Sequence, residues 1–422
     1  MQFRHPVYGV VLVIGSCAVC LGATISVGPD AGDDYTTIQA AVDFATTGDT
    51  IAIDSGTYVD DDGDGVIVKI TSKDLTLTAP FGGVNLDGLN VARGIEVKSA
   101  STLLYQLDLL NCTALDGEGG AGLWFHDSSG TAQNLLIISC TFTSCSSPVQ
   151  FNFGGAIGIY GNSSSTVDYE IDDCIFTSCS SADYAGALYS TTATGLIMNT
   201  SFIDCSAKFG GACEFREGTS EFYECVFQGN SATNHGGAIR VYSADAVITI
   251  EDSSFSENHA EHFGSAISQS AGDLTLTNSD FIDNESGFAG CLYLRDTDPA
   301  AIIEVSGCRF SGNETASGYP AEGIFSEEVI NLTVLDSFFC DHSLGGDITV
   351  AYTDGGGNDL GNWCCPGDID EDGDVDADDL GTLLTGYGDA SLDADDREDC
   401  SRDGDVDVED LISMLSQWGT CE

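Results

Sequence analysis

Basic side chains are the scarcest feature of this 422-residue sequence. Twelve Lys and Arg stand against 68 Asp and Glu, which gives a formal net charge of −56. Such a charge argues against nucleic acid and against anionic membrane surfaces as partners, because both would be repelled. It suits a divalent cation such as Ca²⁺. Proline is also rare, with 7 residues, whereas the 51 glycines predict many tight turns.

Long apolar runs are absent after the first two dozen residues, so no later segment predicts a membrane-spanning helix. The N-terminus reads MQFRHPVYGVVLVIGSCAVCLGA, a short basic start followed by an apolar stretch and small residues. This order is typical of a secretory signal peptide, which we predict at residues 1–23. Export would place the protein outside the cell or on a bacterial cell surface, where disulfide bonds are possible.

Long helical patterns are also missing from the middle of the chain, where two short phrases alternate. The first is Phe followed three residues later by Asn or Cys, as in FTSC at 142 and FIDN at 281. The second contains small residues and usually a glycine pair, as in GGAI at 154 and at 236. Regular alternation of two phrases indicates one structural unit repeated many times.

Short alternating strands and tight turns fill each repeat, which predicts an all-β fold, a right-handed parallel β-helix (solenoid). Each coil would lie on the previous one at strand spacing, about 4.8 Å, so that equivalent residues stack. Phe would stack inside, Asn at a turn and Gly at a corner. Cys145, Cys179 and Cys205 occupy the Asn position, where either disulfides between coils or a row of buried thiols would fit.

These phrases resemble the repeats of chlamydial polymorphic outer membrane proteins over residues 140–315. Upstream, YTTIQAAVDFATTGDTIAIDSGTYV at 35–59 resembles the start of pectin-lyase-like β-helices. This resemblance implies a short amphipathic helix that closes the open end of the solenoid. Its apolar residues would be Ile38, Ala41, Val42 and Ala45. We therefore assign residues 24–352 to the β-helix.

Two acidic phrases, DIDEDGDVDADD at 368 and DCSRDGDVDVED at 399, follow near the C-terminus. Each has oxygen-bearing side chains at positions 1, 3, 5 and 12, Gly at position 6 and Val at position 8. This spacing surrounds one hard cation such as Ca²⁺ with oxygen ligands. The predicted metal ligands are Asp368, Asp370, Asp372, Asp374, Asp379, Asp399, Ser401, Asp403, Asp405 and Asp410.

A helical pattern follows each acidic loop, no helix precedes it, and position 12 is Asp in both. A duplicated loop–helix unit of this kind resembles the dockerin type I module, over residues 365–422. The resemblance implies a calcium-stabilised module at 364–422, after a Gly-rich linker at 353–363. It also implies a cohesin-like protein as the partner of the paired helices.

Catalytic motifs of pectin-lyase-like enzymes are missing from the β-helix, but one stripe of it is chemically distinct. Residues two and four places after the Ala of each GGAI-type phrase should face outward, because strand side chains alternate. Aromatic rings stack on sugars and Arg binds carboxylates, so this stripe predicts a polysaccharide groove. An ordinary outer surface with ion pairs is the alternative. The groove residues are Tyr160, Tyr189, Arg216, Arg240, Tyr242, Tyr293 and Arg295.

Two functions are consistent with these patterns. The first is a secreted or cell-surface β-helix protein that binds polysaccharide or a protein partner without catalysis and carries a calcium-dependent attachment module. The second is a polysaccharide lyase or glycoside hydrolase tethered by the same module. Such an enzyme needs two suitably separated carboxylates, or Ca²⁺ with an Arg or Lys base. The sequence singles out no such set.

Overall fold

The computed structural model describes most of the chain before residue 359 and short stretches after it. The described residues are 22–150, 153–162, 167–295, 301–316, 323–326, 331–340, 347–358, 369, 374–375, 377–387, 406, 408–416 and 419–420. Up to residue 358 the chain winds through parallel sheets in about eleven coils of the described residues. The predicted all-β parallel β-helix is therefore confirmed for the body of the chain.

Each coil passes through sheets A, B and C in turn, and later coils add a short strand of sheet D between B and C. Sheet A contains Thr24–Val27, Thr50–Ile53, Leu75–Thr78, Thr102–Tyr105, Gln133–Ile138, Val167–Asp172, Ala193–Met198, Gly218–Tyr223, Ala246–Glu251, Asp273–Thr277, Ile303–Ser306, Leu332–Leu335 and Thr353–Asp354. Sheet B contains Gly56–Tyr58, Val84–Asp87, Leu107–Leu110, Thr141–Thr143, Ile175–Thr177, Ser201–Ile203, Val226–Gln228, Ser254–Ser256, Asp280–Ile282, Arg309–Ser311 and Phe338–Cys340.

Sheet C later carries the candidate site. It contains Val66–Thr71, Arg93–Lys98, Leu123–His126, Ile157–Tyr160, Leu188–Thr191, Cys213–Phe215, Ile239–Val241, Ile267–Gln269, Leu292–Leu294 and Ile324–Phe325. Sheet D contains Ser146–Ser147, Ser180–Ser181, Ser206–Phe209, Ser231–His235, His259–Ala260, Glu285–Ser286 and Glu314–Thr315. The strand Thr353–Asp354 pairs with Leu332–Leu335 and lies where the linker was predicted.

Stacked phenylalanines form the centre of sheet B. The Phe of each repeat phrase pairs with the Phe of the next coil, and neighbouring rings are parallel with centroids 4.5 to 4.9 Å apart. All of them are buried, and each contributes about 1.5–3 kcal/mol of apolar burial. The row is Phe142, Phe176, Phe202, Phe227, Phe255, Phe281, Phe310 and Phe339.

Asparagine and cysteine share the turn after sheet B. Asn230 donates from Nδ2 to the carbonyl of Phe202 in the preceding coil, at 2.9 Å, and its Oδ1 accepts from the Cys205 amide at 3.0 Å. In earlier coils a thiol takes the same place, and Cys179 donates to the carbonyl of Phe142 at 3.3 Å. The described cysteines are free thiols, so the structure has the row of thiols and not the disulfides.

Burial makes two further core thiols, those of Cys140 and Cys225, unreactive. It raises the pKa of Cys140 and of Cys225 to about 12, because a thiolate in the apolar core would lose its hydration.

Glycine corners allow adjacent coils to approach closely before sheet C. The first Gly of the phrase adopts a left-handed conformation, with φ of +60° at Gly210 and +72° at Gly236. The second Gly has backbone of the next coil where a side chain would be: a Cβ on Gly211 would overlap the carbonyl oxygen of Gly237. The glycine pair is therefore a steric requirement of the stacking.

The helix Ile38–Phe44 lies against the first strands of the solenoid, as the resemblance implied. Thr37 caps its N-terminus by accepting from the Ala40 amide at 3.3 Å. Its buried residues Ile38, Ala41 and Val42, with Ala45 directly after it, belong to the main core.

Two further helices, Ala377–Gly386 and Val408–Ser416, contact each other near the C-terminus. Each begins at position 10 of its acidic loop. An antiparallel pair, Asp374–Val375 with Gly419–Thr420, accompanies them. Their small core contains the two position-8 valines and one residue from each helix, together with Ile369: Val375, Leu383, Val406 and Met414. No helix of the described residues is both long and apolar enough to cross a membrane.

Replacement of Gly211 by Ala should destabilise the solenoid by about 3 kcal/mol, because the new methyl group meets the Gly237 backbone of the adjacent coil. The measurement is urea unfolding followed by far-UV circular dichroism. Gly32→Ala is the matched control, since that position has open space around it. Equal stability of Gly211→Ala and the wild type would contradict this packing.

Candidate functional site

Outward-facing side chains of sheet C form two rows parallel to the solenoid axis. Strand register aligns both rows from coil to coil. We call the one nearer the glycine corner the first row: Lys69, Glu96, Trp124, Gly158, Tyr189, Glu214, Arg240, Ser268, Tyr293 and Phe325. Within the described residues, the second row lies two residues later on the same coils: Thr71, Lys98, His126, Tyr160, Thr191, Arg216, Tyr242, Ser270 and Arg295.

A third set of side chains, directly before the glycine corners, borders the first row. These residues bridge one another from coil to coil, and we call them the flanking row: Phe153, Tyr184, Phe209, His235 and Phe263. Its rings stack on one another and reach over the first row, with the Phe153 ring 4.7 Å from Tyr189 and the Phe263 ring 4.6 Å from Tyr293. An aromatic layer thus lies outside the sheet.

Exposure separates the seven predicted groove residues into two groups. Tyr189, Arg240 and Tyr293 of the first row are only 3%, 7% and 5% exposed, because the flanking row covers them. The other four predicted groove residues, which belong to the second row, remain accessible: Tyr160 and Arg216 are half-buried, and Tyr242 and Arg295 are exposed. The structure brings all seven to one face, but only the second row lines its surface.

Arg216 lies among aromatic rings. Its guanidinium carbon is 4.5 Å from the ring centroid of Tyr184 and 5.0 Å from that of Tyr242. The rings of Phe153 and Tyr189 lie at 5.6 and 5.7 Å. Such contacts hold the cation through the negative ring faces. Burial raises the pKa values of Tyr160 and Tyr189, so both phenols stay protonated and neutral.

Glu214 is fully buried between two arginines. Its carboxylate accepts from Arg216 Nε at 2.9 Å and from Arg240 Nη1, in the next coil, at 3.3 Å. Burial raises the pKa of Glu214, and the two guanidinium groups oppose that shift. The ion pair between Glu214 and Arg240 is therefore present, as in the surface alternative, yet it lies beneath aromatic rings.

His235 in the flanking row is neutral near pH 7. Burial lowers its pKa to about 4, and the charge of Arg240 adds to this effect. The imidazole stacks between Phe209 and Phe263, at 6.0 and 5.4 Å, and therefore acts as another aromatic member of the layer.

The upstream end of the face also carries functional side chains, which the sequence patterns missed. The Trp124 ring stacks on His126 at 4.0 Å and lies 4.8 Å from the Arg93 guanidinium. His126 Nε2 is 3.5 Å from the Glu96 carboxylate, and the exposed Lys98 precedes His126 in the second row. The signal that could have found this coil is GAGL at 120–123, a glycine corner in another order.

Most of the predicted metal ligands lie outside the described residues: Asp368, Asp370, Asp372, Asp399, Ser401, Asp403 and Asp405, with the side chains of Asp374 and Asp410. Asp379, at position 12 of the first loop, is described and fully buried. Its Oδ1 accepts from the Ile369 amide of the same loop at 2.7 Å. A buried carboxylate that closes back on the loop fits the chemistry of a hard cation site.

A second acidic cluster, Asp60, Asp62 and Asp64, lies in the turn between sheets B and C. Asp60 accepts from the amides of Gly63 and Gly65, and Asp64 pairs with Lys69. Bonds of this kind are typical of a turn between two strands.

Comparison with known proteins identifies the solenoid. The family model described as "Right handed beta helix region" matches residues 90–360. No curated protein matches the chain. One similar solved structure is described as a mannuronic acid specific polysaccharide family 6 lyase enzyme from human gut microbiota. It is 10% identical, the alignment covers 73% of this chain and 86% of that chain, and the TM-score is 0.31. A likeness of that size supports no functional argument.

Proposed function

This chain belongs to the right-handed β-helix family, and on that basis we propose that it binds an acidic polysaccharide along the outer face of sheet C, without catalysis. The proposal places the protein outside the cell or on the cell surface, in keeping with the N-terminal pattern at 1–23. A calcium-dependent C-terminal module would attach it to a partner.

The observation that carries the proposal is the composition of the second row. Lys98, His126, Arg216 and Arg295 lie in it, together with Tyr160 and Tyr242, and its nine described members include no Asp or Glu. Acidic residues outnumber basic ones 68 to 12 in this chain, so a row that holds Lys98, two arginines and two tyrosines but no carboxylate departs strongly from the overall composition. Such a row attracts anions and excludes cations.

The shape of the row favours a long, linear ligand. From Lys98 to Arg295 it spans eight successive coils, which at strand spacing is a length of about 34 Å. Exposed Tyr242 offers a face to a sugar ring, and the arginines offer paired donors to carboxylates. A chain of acidic sugars supplies both groups at regular intervals along one direction.

Ion pairing on this face favours binding over catalysis. In the first row, Glu214 pairs with two arginines, and the Glu96 carboxylate lies 3.5 Å from His126 Nε2. A general acid or base must instead exchange a proton with the substrate.

Exposed apolar residues on the C-terminal helices support attachment to a partner. Leu384 and Leu415 hold equivalent positions in the two duplicated units and are 54% and 50% exposed. Tyr387 and Ile412, at 50% and 62%, accompany them. A cohesin-like protein, which the dockerin resemblance implies, would cover apolar side chains of this kind. Ca²⁺ held by the two acidic loops would stabilise the helices that carry them.

Removal of the exposed second-row contacts should weaken polysaccharide binding. We expect the double variant Tyr242→Ala/Arg295→Gln to bind polygalacturonate roughly tenfold more weakly than the wild type, because it loses a stacking face and a carboxylate donor. The measurement is isothermal titration calorimetry at fixed ionic strength. Arg309→Gln, on sheet B, is the matched control for lost charge.

Two results would contradict the proposal. One is equal affinity of the double variant and the control for every polyuronate and sulfated glycan tested. The other is release of reducing ends or unsaturated products during incubation with those polymers, which would indicate a lyase or hydrolase and not binding without catalysis.

Calcium should order the C-terminal module of the full-length protein. We expect addition of Ca²⁺ after EDTA treatment to make the ellipticity at 222 nm more negative. Asp379→Asn should raise the calcium concentration that gives half of this change by about tenfold or more. Asp64→Asn in the exposed turn is the control. An unchanged spectrum upon calcium addition would refute a calcium-dependent module.

A further inference from the structure

The two arginines bound to Glu214 are in different environments. Arg240 has a side chain only 8% exposed, and its guanidinium lies 4.1 Å from the Phe209 ring and 4.4 Å from the Tyr242 ring. Arg216 has a side chain 26% exposed and belongs to the second row, at the surface. Arg240 is therefore part of the covered layer, whereas Arg216 can reach a ligand.

The bond to Glu214 fixes how Arg216 is presented. Arg216 uses Nε for this bond, at 2.9 Å, so the contact with the carboxylate does not involve its two terminal nitrogens. The rings of Tyr184 and Tyr242, at 4.5 and 5.0 Å, further restrict the guanidinium group. A long side chain that would otherwise sample many rotamers is thus held in one arrangement before any ligand arrives.

Glu214, Arg216 and Arg240 together carry a net charge of +1. Glu214 contributes one negative charge and the two arginines contribute two positive charges, while His235 beside them is neutral at pH 7. Arg240 Nε is also buried without a hydrogen-bond partner. An excess charge in a partly desolvated site is costly, and a single oxyanion at Arg216 would offset it.

We propose that Glu214 is a positioning residue, which holds Arg216 as the oxyanion contact of the groove while Arg240 serves to keep Glu214 in place. The oxyanion is a carboxylate or a sulfate half-ester, since both present two oxygens to a guanidinium edge. The inference rests on the proposed function for the identity of the polymer, but the arrangement of the three side chains stands independently of it.

A simple electrostatic role for Glu214 predicts the opposite result from a positioning role. Removal of a negative charge next to Arg216 would strengthen anion binding if Glu214 only lowered the local potential. Removal of the group that orients Arg216 weakens binding even though the site becomes more positive. The sign of the change in affinity therefore separates the two roles.

The experiment is a double-mutant cycle on the full-length protein with Glu214→Gln, Arg216→Met and the combined variant. Affinity is measured for polygalacturonate and for a sulfated glycan, at constant ionic strength. We expect Glu214→Gln to bind about tenfold more weakly than the wild type. In the Arg216→Met background the same change should cause no further loss, because Glu214 acts through Arg216.

Arg216→Lys provides an independent test in the event that Glu214→Gln does not fold. It keeps the charge but lacks the planar fork, so we expect it to weaken binding to a similar extent while the unfolding midpoint stays within the range of Arg309→Gln. Wild-type affinity of Arg216→Lys, tighter binding by Glu214→Gln, or additive losses in the cycle would each overturn the proposal.

A small probe distinguishes failure of this inference from failure of the proposed function. Sodium sulfate is titrated into labelled protein and the arginine Nε–Hε resonances are followed by NMR, with sodium chloride at equal ionic strength as reference. A specific shift of the Arg216 resonance that is lost in Glu214→Gln supports the positioning role even if no polysaccharide binds. Polysaccharide binding without dependence on Glu214 or Arg216 would leave the function intact and overturn this inference.

The two oxyanion sources differ in the polymers they require. Preference for the polyuronate identifies a carboxylate as the bound group, and preference for the sulfated glycan identifies a sulfate half-ester. Binding of a neutral glycan such as amylose as tightly as the charged polymers would show that Arg216 does not recognise an anionic group, which would overturn the proposal.

Discussion

Parallel pairing of each described solenoid strand with the equivalent strand of the next coil is the constraint on which the rest of the solenoid depends. It forces equivalent positions to lie on top of one another, so one choice of residue is repeated along the whole solenoid. Phe142 to Phe339 stack inside sheet B, and the Asn row from Asn230 connects coils at the turn. The glycine corner keeps the coils at one spacing because a side chain on Gly211 has no room.

The same stacking creates the candidate site from residues that are distant in sequence. Glu214 and Arg240 are 26 residues apart, yet register makes them neighbours on adjacent coils. Several of the few basic side chains are thereby aligned in the second row, and the aromatic residues that precede the glycine corners are aligned in the flanking row. The site is thus a property of the repeat period.

The sequence predicted those features that repeat with the period. The alternation of strand residues identified the outward face. The capping helix was implied by the resemblance of residues 35–59 to the start of pectin-lyase-like β-helices. The sequence did not predict that Tyr189, Arg240 and Tyr293 would be covered, because their burial depends on where the Phe153, Phe209 and Phe263 side chains lie in three dimensions. It also missed Trp124 and Lys98, whose coils lack the regular GGAI phrase. Thiols instead of disulfides likewise follow from local geometry, since Cys179 donates to a carbonyl.

Hydroxyl-radical footprinting of the tyrosines, read by mass spectrometry, tests most directly whether the coils stack in this register with the flanking row above the sheet. Tyr242 is 47% exposed, whereas Tyr189 and Tyr293 are 3% and 5% exposed. We expect rapid oxidation of Tyr242 and strong protection of the other two in the native protein, with all three reacting alike after denaturation. Native-state oxidation of Tyr189 and Tyr293 at the rate of Tyr242 would contradict it.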